Sequence, residues 1–278
     1  MTEIDSSNVF FKYRKINKNT LHTLINNELI FSSPFHFNDP FDTIIDLFFE
    51  GTEEDFEFFL GDDYTEEDFE YFYQNQVKKV SDERFRLIQQ KENDKHYNDR
   101  LNLMRVLCLS QKKDEILMWS HYANDHKGIC LCFEAVEKDG DLGFYFDSNF
   151  LPLLEIEYSD IIPAPINMFE PNMEGFLNFF TTKHSSWSYE KEYRLIDVRN
   201  DFENHNHVVK KFDKKSLVGV IFGLNTSIED LNQIYKCLKT HYIDKGFNVQ
   251  MYKCFKAKGK YAVDIQKIDV DFFIESEE

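Results

Sequence analysis

Three short polar clusters set among aromatic and aliphatic residues carry the side chains of this sequence best placed to do chemistry. They are FKYR (11–14) with FNDPFD (37–42), MWSHYANDHKGIC (118–130), and WSYEKEYRLID (187–197). In the last, a strand over Tyr189 to Ile196 puts Glu190, Glu192 and Arg194 on one face and Lys191, Tyr193 and Leu195 on the other. Paired carboxylates suit acid–base work or the stabilisation of a developing positive charge. They cannot be buried beside a guanidinium unless each charge finds a partner. A salt-bridged solvent face and a cleft-facing reactive strand therefore both fit, with Trp187 and Tyr189 as apolar wall in the second case. Glu192, deeper in the strand, Glu190 and His121 are the catalytic candidates. In the middle cluster His121, Tyr122, His126 and Lys127 form a dense titratable group. His121 and His126 stand five positions apart, which misses the spacing of helical zinc ligands, so no metal is expected. In the first cluster Lys12 and Arg14 share one strand face, Phe11 and Tyr13 the other, and either face can meet a cleft. Asn38, Asp39 and Asp42 lie in an aromatic loop, where such side chains either close turns on the backbone or reach a ligand. The binding candidates are Tyr13, Arg14, Asn38, Asp39 and Tyr122.

The elements that must position these residues follow from periodicity and punctuation. Residues 8–15 read as a strand, Asn19 to Glu28 as a helix and Leu29 to Ser32 as a strand, before a loop whose prolines favour irregular structure. From Thr52 to about Arg100 the chain is highly charged. TEEDFEFF and TEEDFEYF start thirteen residues apart, which predicts two helix N-termini with Thr52 and Thr65 as caps. A strand-rich portion follows: VLCLS, a helix at Ile116 to Tyr122, GICLCFEA, LLEIEYSD, a helix near Met173 to Lys183 and the EKEYRLIDV strand. LVGVIFG, a helix from Ser227 to about Tyr242, NVQMYKCF and YAVDIQKID complete the pattern. This is an α+β fold: a mixed, mainly antiparallel sheet core with packed helices, one domain over 1–278, and an acidic helical insertion or lid at 52–102. Regular βα alternation, GxGxxG and GxxxxGK[ST] are all absent, which disfavours doubly wound nucleotide folds.

Composition narrows the class. Hydrophobic residues make up 42%, with 29 Phe and 14 Tyr, enough for a core dominated by rings. A formal charge of −18 repels nucleic acid and anionic lipid at long range. Lys210, Lys211, Lys214 and Lys215, and Lys253, Lys256, Lys258 and Lys260, form local basic clusters that read as solvated strand ends and turns. Five cysteines without CxxC spacing read as reduced core thiols, Cys130 and Cys132 pointing to one face of a strand. No basic leader with an apolar run and no long apolar span is visible, so the expectation is a cytoplasmic protein without a membrane partner.

The runs FKYR, LINNELIFSSPFHFNDPFD, MWSHYANDHKGICLCFE, WSYEKEYRL and VIFGLNTS resemble, over roughly Phe10 to Thr240, a bacterial family known only as a domain of unknown function. More distantly, the opening strand with its polar residue, the helix, the short strand ending in Ser and the late strand with a glutamate are similar to the core of ADP-ribosyltransferases of the DNA-modifying toxin branch. That resemblance implies an ADP-ribosyltransferase-like fold and NAD as substrate. It also implies Arg14 as the pyrophosphate anchor, Tyr122 as the ring stacked on nicotinamide, and Glu192 as the acid at the ribose hydroxyl. The acceptor would be nucleic acid or protein, in a defence or toxin setting. The sequence departs from that pattern in having Tyr13-Arg14 where a His is usual, and in lacking a Ser-Thr-Ser segment. Two other readings stay open: a metal-dependent nuclease or hydrolase using Asp39, Asp42, His121, Glu190 and Glu192, and a non-catalytic sensor or interaction module.

Overall fold

The opening of the chain folds as a strand, a helix and a strand, each for a local reason. Strand β1 (Val9–Arg14) buries its apolar positions, and helix α1 (Lys18–Asn26) starts where the Asn17 side chain accepts from the Thr20 N–H. The helix ends at Asn27, whose left-handed φ of 50° turns the chain into β2 (Glu28–Ser32). The computed structural model describes residues 3–44, 47–48, 50–52, 54–55, 103–167, 169–170, 173–199 and 206–269. Most of the expected insertion, including Thr65, lies outside the described residues. At its start the Thr52 hydroxyl accepts from the Asp55 N–H while the Asp55 carboxylate accepts from the Thr52 N–H, the reciprocal cap that TEED predicts.

The chain continues through β3 (Leu47–Phe48), β4 (Met104–Ser110), α2 (Ile116–Tyr122) and β5 (Ile129–Glu134). A three-stranded meander follows, β6 (Val136–Lys138), β7 (Asp141–Phe146) and β8 (Asn149–Pro152), then short β9 (Leu154–Glu155), β10 (Glu157–Ser159) and β11 (Ile166–Asn167). Helix α3 (Met173–Thr181) leads directly into β12 (Thr182–His184), and a 3-10 helix over Ser185–Glu190 precedes β13 (Glu192–Val198). The strand expected from Tyr189 thus begins only at Glu192, because Lys191, at φ 43°, turns the chain between helix and strand. LLEIEYSD is likewise two short strands with different partners. The remainder is β14 (His207–Lys211), β15 (Leu217–Phe222), α4 (Ile228–His241), β16 (Gln250–Lys256) and β17 (Val263–Lys267). Ser227 caps α4 as expected, accepting from the Asp230 N–H at 3.1 Å.

The result is an α+β fold on a mixed, mostly antiparallel open sheet ordered β14-β2-β4-β1-β5-β15-β16-β17, with β13 paired along β4 and only β15/β16 parallel within it. One irregularity positions the site. β13 follows all of β4 on one edge. On the other edge β2 meets β4 at Val106↔Ser32 and β1 meets it at Ser110↔Phe11, so the sheet splits around Cys108.

Helices α1 and α4 cover one face over a core that includes Phe10, Leu131, Phe133, Val220, Leu24 and Ile234. On the opposite face Met118 and Trp119 of α2 pack on Phe11, Tyr13, Cys130 and Cys132, while Phe176, Phe179 and Phe180 of α3 pack on Met104 and Val106. All five cysteines are free thiols, three of them buried. The basic clusters do not behave as uniformly solvated: Lys253 is buried, donating to the carbonyls of Gly223 and Leu224, and Lys210 pairs with Asp197 at 3.0 Å. Among the described residues no helix is long and apolar enough to cross a membrane.

Candidate functional site

The split in the sheet opens into a cleft of about 330 Å³ on the α2/α3 face, between α2, the 34–42 loop and β12. Its walls include Phe11, Phe37 and Met118, and its polar lining includes Lys12, Asn38, Asp42, Ser110, Tyr122, Lys183, Glu190 and Glu192. β4 and β13 set the register: Ser110 stands opposite Glu192 and Cys108 opposite Arg194, so both charged side chains lie on the cleft face.

Lys183 is the hub. Its Nζ donates to Glu190 Oε2 at 2.6 Å and to Glu192 Oε2 at 2.7 Å, with Asp42 Oδ2 at 3.8 Å. Arg194 closes the circuit, its Nε donating to Glu192 Oε1 at 2.7 Å and its Nη2 to Asp42 Oδ2 at 2.6 Å. The Tyr122 hydroxyl donates to the remaining Glu190 oxygen at 2.6 Å, and Asn38 also reaches that hydroxyl. Ser110 Oγ donates to the Glu190 carbonyl at 2.5 Å, and the Tyr158 hydroxyl accepts from the Glu192 N–H at 2.8 Å. Glu190, Glu192 and Arg194 are 3%, 4% and 0% exposed, which excludes the salt-bridged solvent face. Three acids and two cations survive burial here because nearly every charged atom has an opposite partner.

The environments drive the two glutamates apart. Burial pushes the Glu190 carboxyl above its ordinary range, with Lys183 and Tyr122 opposing. Burial would raise Glu192 too, but the charges of Arg194 and Lys183 outweigh it and hold that carboxyl well below the usual range. Lys183 answers them: against burial, both glutamates raise its ammonium above the normal value.

The sequence candidates separate accordingly. Tyr122, Asn38, Glu190 and Glu192 converge on the cleft, and Asp42 joins them. Tyr13 borders it, but its ring packs edge-on against Trp119 at 5.0 Å and its hydroxyl donates to the Lys112 carbonyl. Arg14 turns to the other face of the sheet, where its Nη1 donates to Thr23 Oγ1 of α1. Asp39 faces a neighbouring apolar hollow behind the loop and accepts from Trp187 Nε1 at 2.7 Å. His121 is exposed on α2 and does not line the cleft.

Two charged contributors were not singled out from sequence. Lys183, at the end of an apolar helix, carries no motif, although two glutamates and an aspartate against one arginine already call for another cation. Lys12 leaves β1 on the α1 side and threads the split, its Nζ donating to the Cys108 carbonyl at 2.7 Å. No set of three or more His, Cys, Asp or Glu among the described residues could hold a metal ion, and Lys183 occupies the position between the acids that a cation would take.

No curated protein and no solved structure matches the chain. A family described as "Protein of unknown function (DUF2971)" has a model that matches residues 118–195. The matched segment runs from α2 into β13 and carries Tyr122, Lys183, Glu190, Glu192 and Arg194, which supports the placing of this chain in a domain-of-unknown-function family.

Proposed function

We propose that the cleft cleaves the nicotinamide–ribose bond of NAD and passes the ADP-ribosyl group to water or to a nucleic-acid or protein acceptor. The observation that carries this reading is the pair of glutamates bridged by Lys183, whose proton affinities are pushed in opposite directions. Such a split assigns an acid–base group and a fixed anion. Glu192 stays ionised and faces the positive charge that develops on the ribose as C1′–N1 breaks and its electron pair leaves with nicotinamide. Glu190 takes the proton of the attacking hydroxyl as the new bond to C1′ forms. The Tyr122 ring is the surface for the nicotinamide, and Asn38 orients its hydroxyl. The anchoring role that the distant resemblance assigns to Arg14 has no support from its position on the α1 face. A bacterial defence or toxin role rests on the resemblance alone. The nuclease reading is disfavoured because Lys183 and Arg194 already neutralise the acids that would bind its metal.

The test is nicotinamide release from NAD, with and without nucleic acid or cell lysate as acceptor. Glu192→Gln keeps the shape and removes the charge, and is expected to slow release by roughly a hundredfold to a thousandfold, about 2.7–4 kcal/mol. Glu190→Gln should remove the acidic limb of the pH–rate profile. In the wild type that limb lies above the ordinary glutamate value, because Glu190 must lose its proton to act and burial has raised its pKa. No release under any acceptor, or full activity of Glu192→Gln with an unchanged melting curve, sinks the proposal.

A further inference from the structure

We infer that the cleft recognises a phosphorylated pentose, with an anionic phosphate oxygen on Lys12 Nζ and a sugar hydroxyl donating to Asp42 Oδ1. This deepens the NAD reading and rests on it for the identity of the whole substrate, while the recognition itself follows from two unspent groups. The first is a charge. Of the two lysines that line the cleft, Lys183 is covered by two carboxylates, whereas Lys12 has only the Cys108 carbonyl. Its other N–H groups meet no acceptor among the described residues. A cation with spare donors at the floor of a cleft calls for an anion that can accept more than one hydrogen bond. Burial, with Arg14 nearby on β1 adding to the positive potential, lowers the pKa of that ammonium, and a bound anion would favour its charged form.

The second is an acceptor. Asp42 Oδ2 is taken by Arg194, but Oδ1 is buried without a hydrogen-bond partner, in a side chain only 3% exposed that borders the same cleft. A buried carboxylate oxygen left unpaired is costly, and a donor from a ligand removes the cost. A ligand that offers an anionic oxygen and a hydroxyl a few bonds apart, with a carbon skeleton to lie against Phe11, Phe37 and Met118, is a sugar phosphate. At about 330 Å³ the cleft sits at the small end of ligand sites, which run from about 300 to 1,000 Å³, so it would hold one sugar phosphate, and the rest of a dinucleotide would extend outward.

The experiment is calorimetric titration of the intact protein with ribose 5-phosphate, ribose and inorganic phosphate, each beside a melting curve. Ribose 5-phosphate should bind the wild type. Lys12→Met should weaken it by at least about tenfold, the scale of a charge-assisted hydrogen bond, while leaving ribose nearly unchanged. Asp42→Asn should weaken ribose and ribose 5-phosphate alike and leave inorganic phosphate unaffected. Should Lys12→Met not fold, Lys12→Gln removes the charge and keeps a donor for Cys108. Equal binding of ribose 5-phosphate and ribose, undiminished binding by a folded Lys12 variant, or no binding to wild type overturns the inference, even if nicotinamide is released. Lys12-dependent binding without nicotinamide release upholds the ligand class and removes the NAD reaction instead.

Discussion

At the scale of single residues, Lys183 is where stability and chemistry meet. Removing its charge leaves Glu190 with only the Tyr122 hydroxyl and leaves Glu192 and Asp42 to share Arg194, a buried excess of negative charge. Breaking a buried pair in this way costs about 3–5 kcal/mol. Lys183→Met should lower the unfolding free energy measured by urea titration by that amount, and adding Glu190→Gln should restore part of it, since one of the uncompensated charges is gone. A loss under about 1 kcal/mol in Lys183→Met would mean the network is already hydrated. The sequence made half of this visible. Strand alternation correctly put Glu192 and Arg194 on one face, and the requirement that buried charges be partnered implied a missing cation. What the sequence could not supply was the direction of β1: the same alternation that pairs Lys12 with Arg14 does not say that Arg14 meets α1 while Lys12, beside the split, reaches the Cys108 carbonyl and the cleft.

At the scale of elements, the turn after α2 explains the ANDHKGIC and VIFGLNTS signatures as backbone packing. Asn124, Asp125 and His126 take left-handed φ values of 50°, 55° and 65° in succession, a strained run for residues other than glycine. It is held from both sides: a Cβ on Gly128 would come 2.2 Å from the Arg14 carbonyl oxygen, and one on Gly223 would come 2.2 Å from that of His126. The Gly223 N–H also donates to the Gly128 carbonyl at 2.9 Å, so β1, α2 and β15 are locked at one point and Tyr122 is aimed by it. Gly128→Ala should therefore cost more than the usual overpacking penalty of about 1–3 kcal/mol, because the clash is with backbone that cannot rotate away. Gly140→Ala, whose Cβ would meet nothing but whose φ is 95°, isolates the conformational cost alone and should be milder. Comparable losses for the two would remove the packing explanation. Helix α4 was legible because its Ser227 cap and its apolar spacing agreed, and α2 was read as a short helix with the bounds it has. The β6–β8 meander was not read, although Asp139-Gly140 and Asp147-Ser148, all at positive φ, are hairpin turns whose first pair is an Asp-Gly signal.

At the scale of the whole molecule, a net charge of −18 works against the compact state, and it does so with a predictable pH dependence. Adding protons lessens the net repulsion, and wherever the native state binds more protons, stability rises as pH falls. Glu190 acts in the same sense, since its raised pKa makes its ionisation a cost above the unfolded value of about 4.3 that acid relieves. Glu192 acts oppositely. Its depressed pKa contributes stability that is fully present above about pH 4.3 and is lost as the pH drops below it toward the lower folded value. The two trends oppose each other only below about pH 4.3, so the melting temperature should climb from pH 8 to a maximum between about pH 4 and 5, close to the pI of about 4.9, and then fall steeply. Salt separates the causes: raising ionic strength at pH 7 from about 0.01 to 0.15 M shortens the screening length from about 30 to 8 Å and should raise the melting temperature by weakening surface repulsion. The same salt should leave the acid limb nearly unchanged, because Lys183, Glu192 and Arg194 are buried beyond its reach. In Glu192→Gln the acid limb should flatten while the salt response at pH 7 persists. A melting temperature that rises steadily from pH 5 to 8, or a salt response that vanishes with Glu192, would show that net repulsion is not what limits this fold.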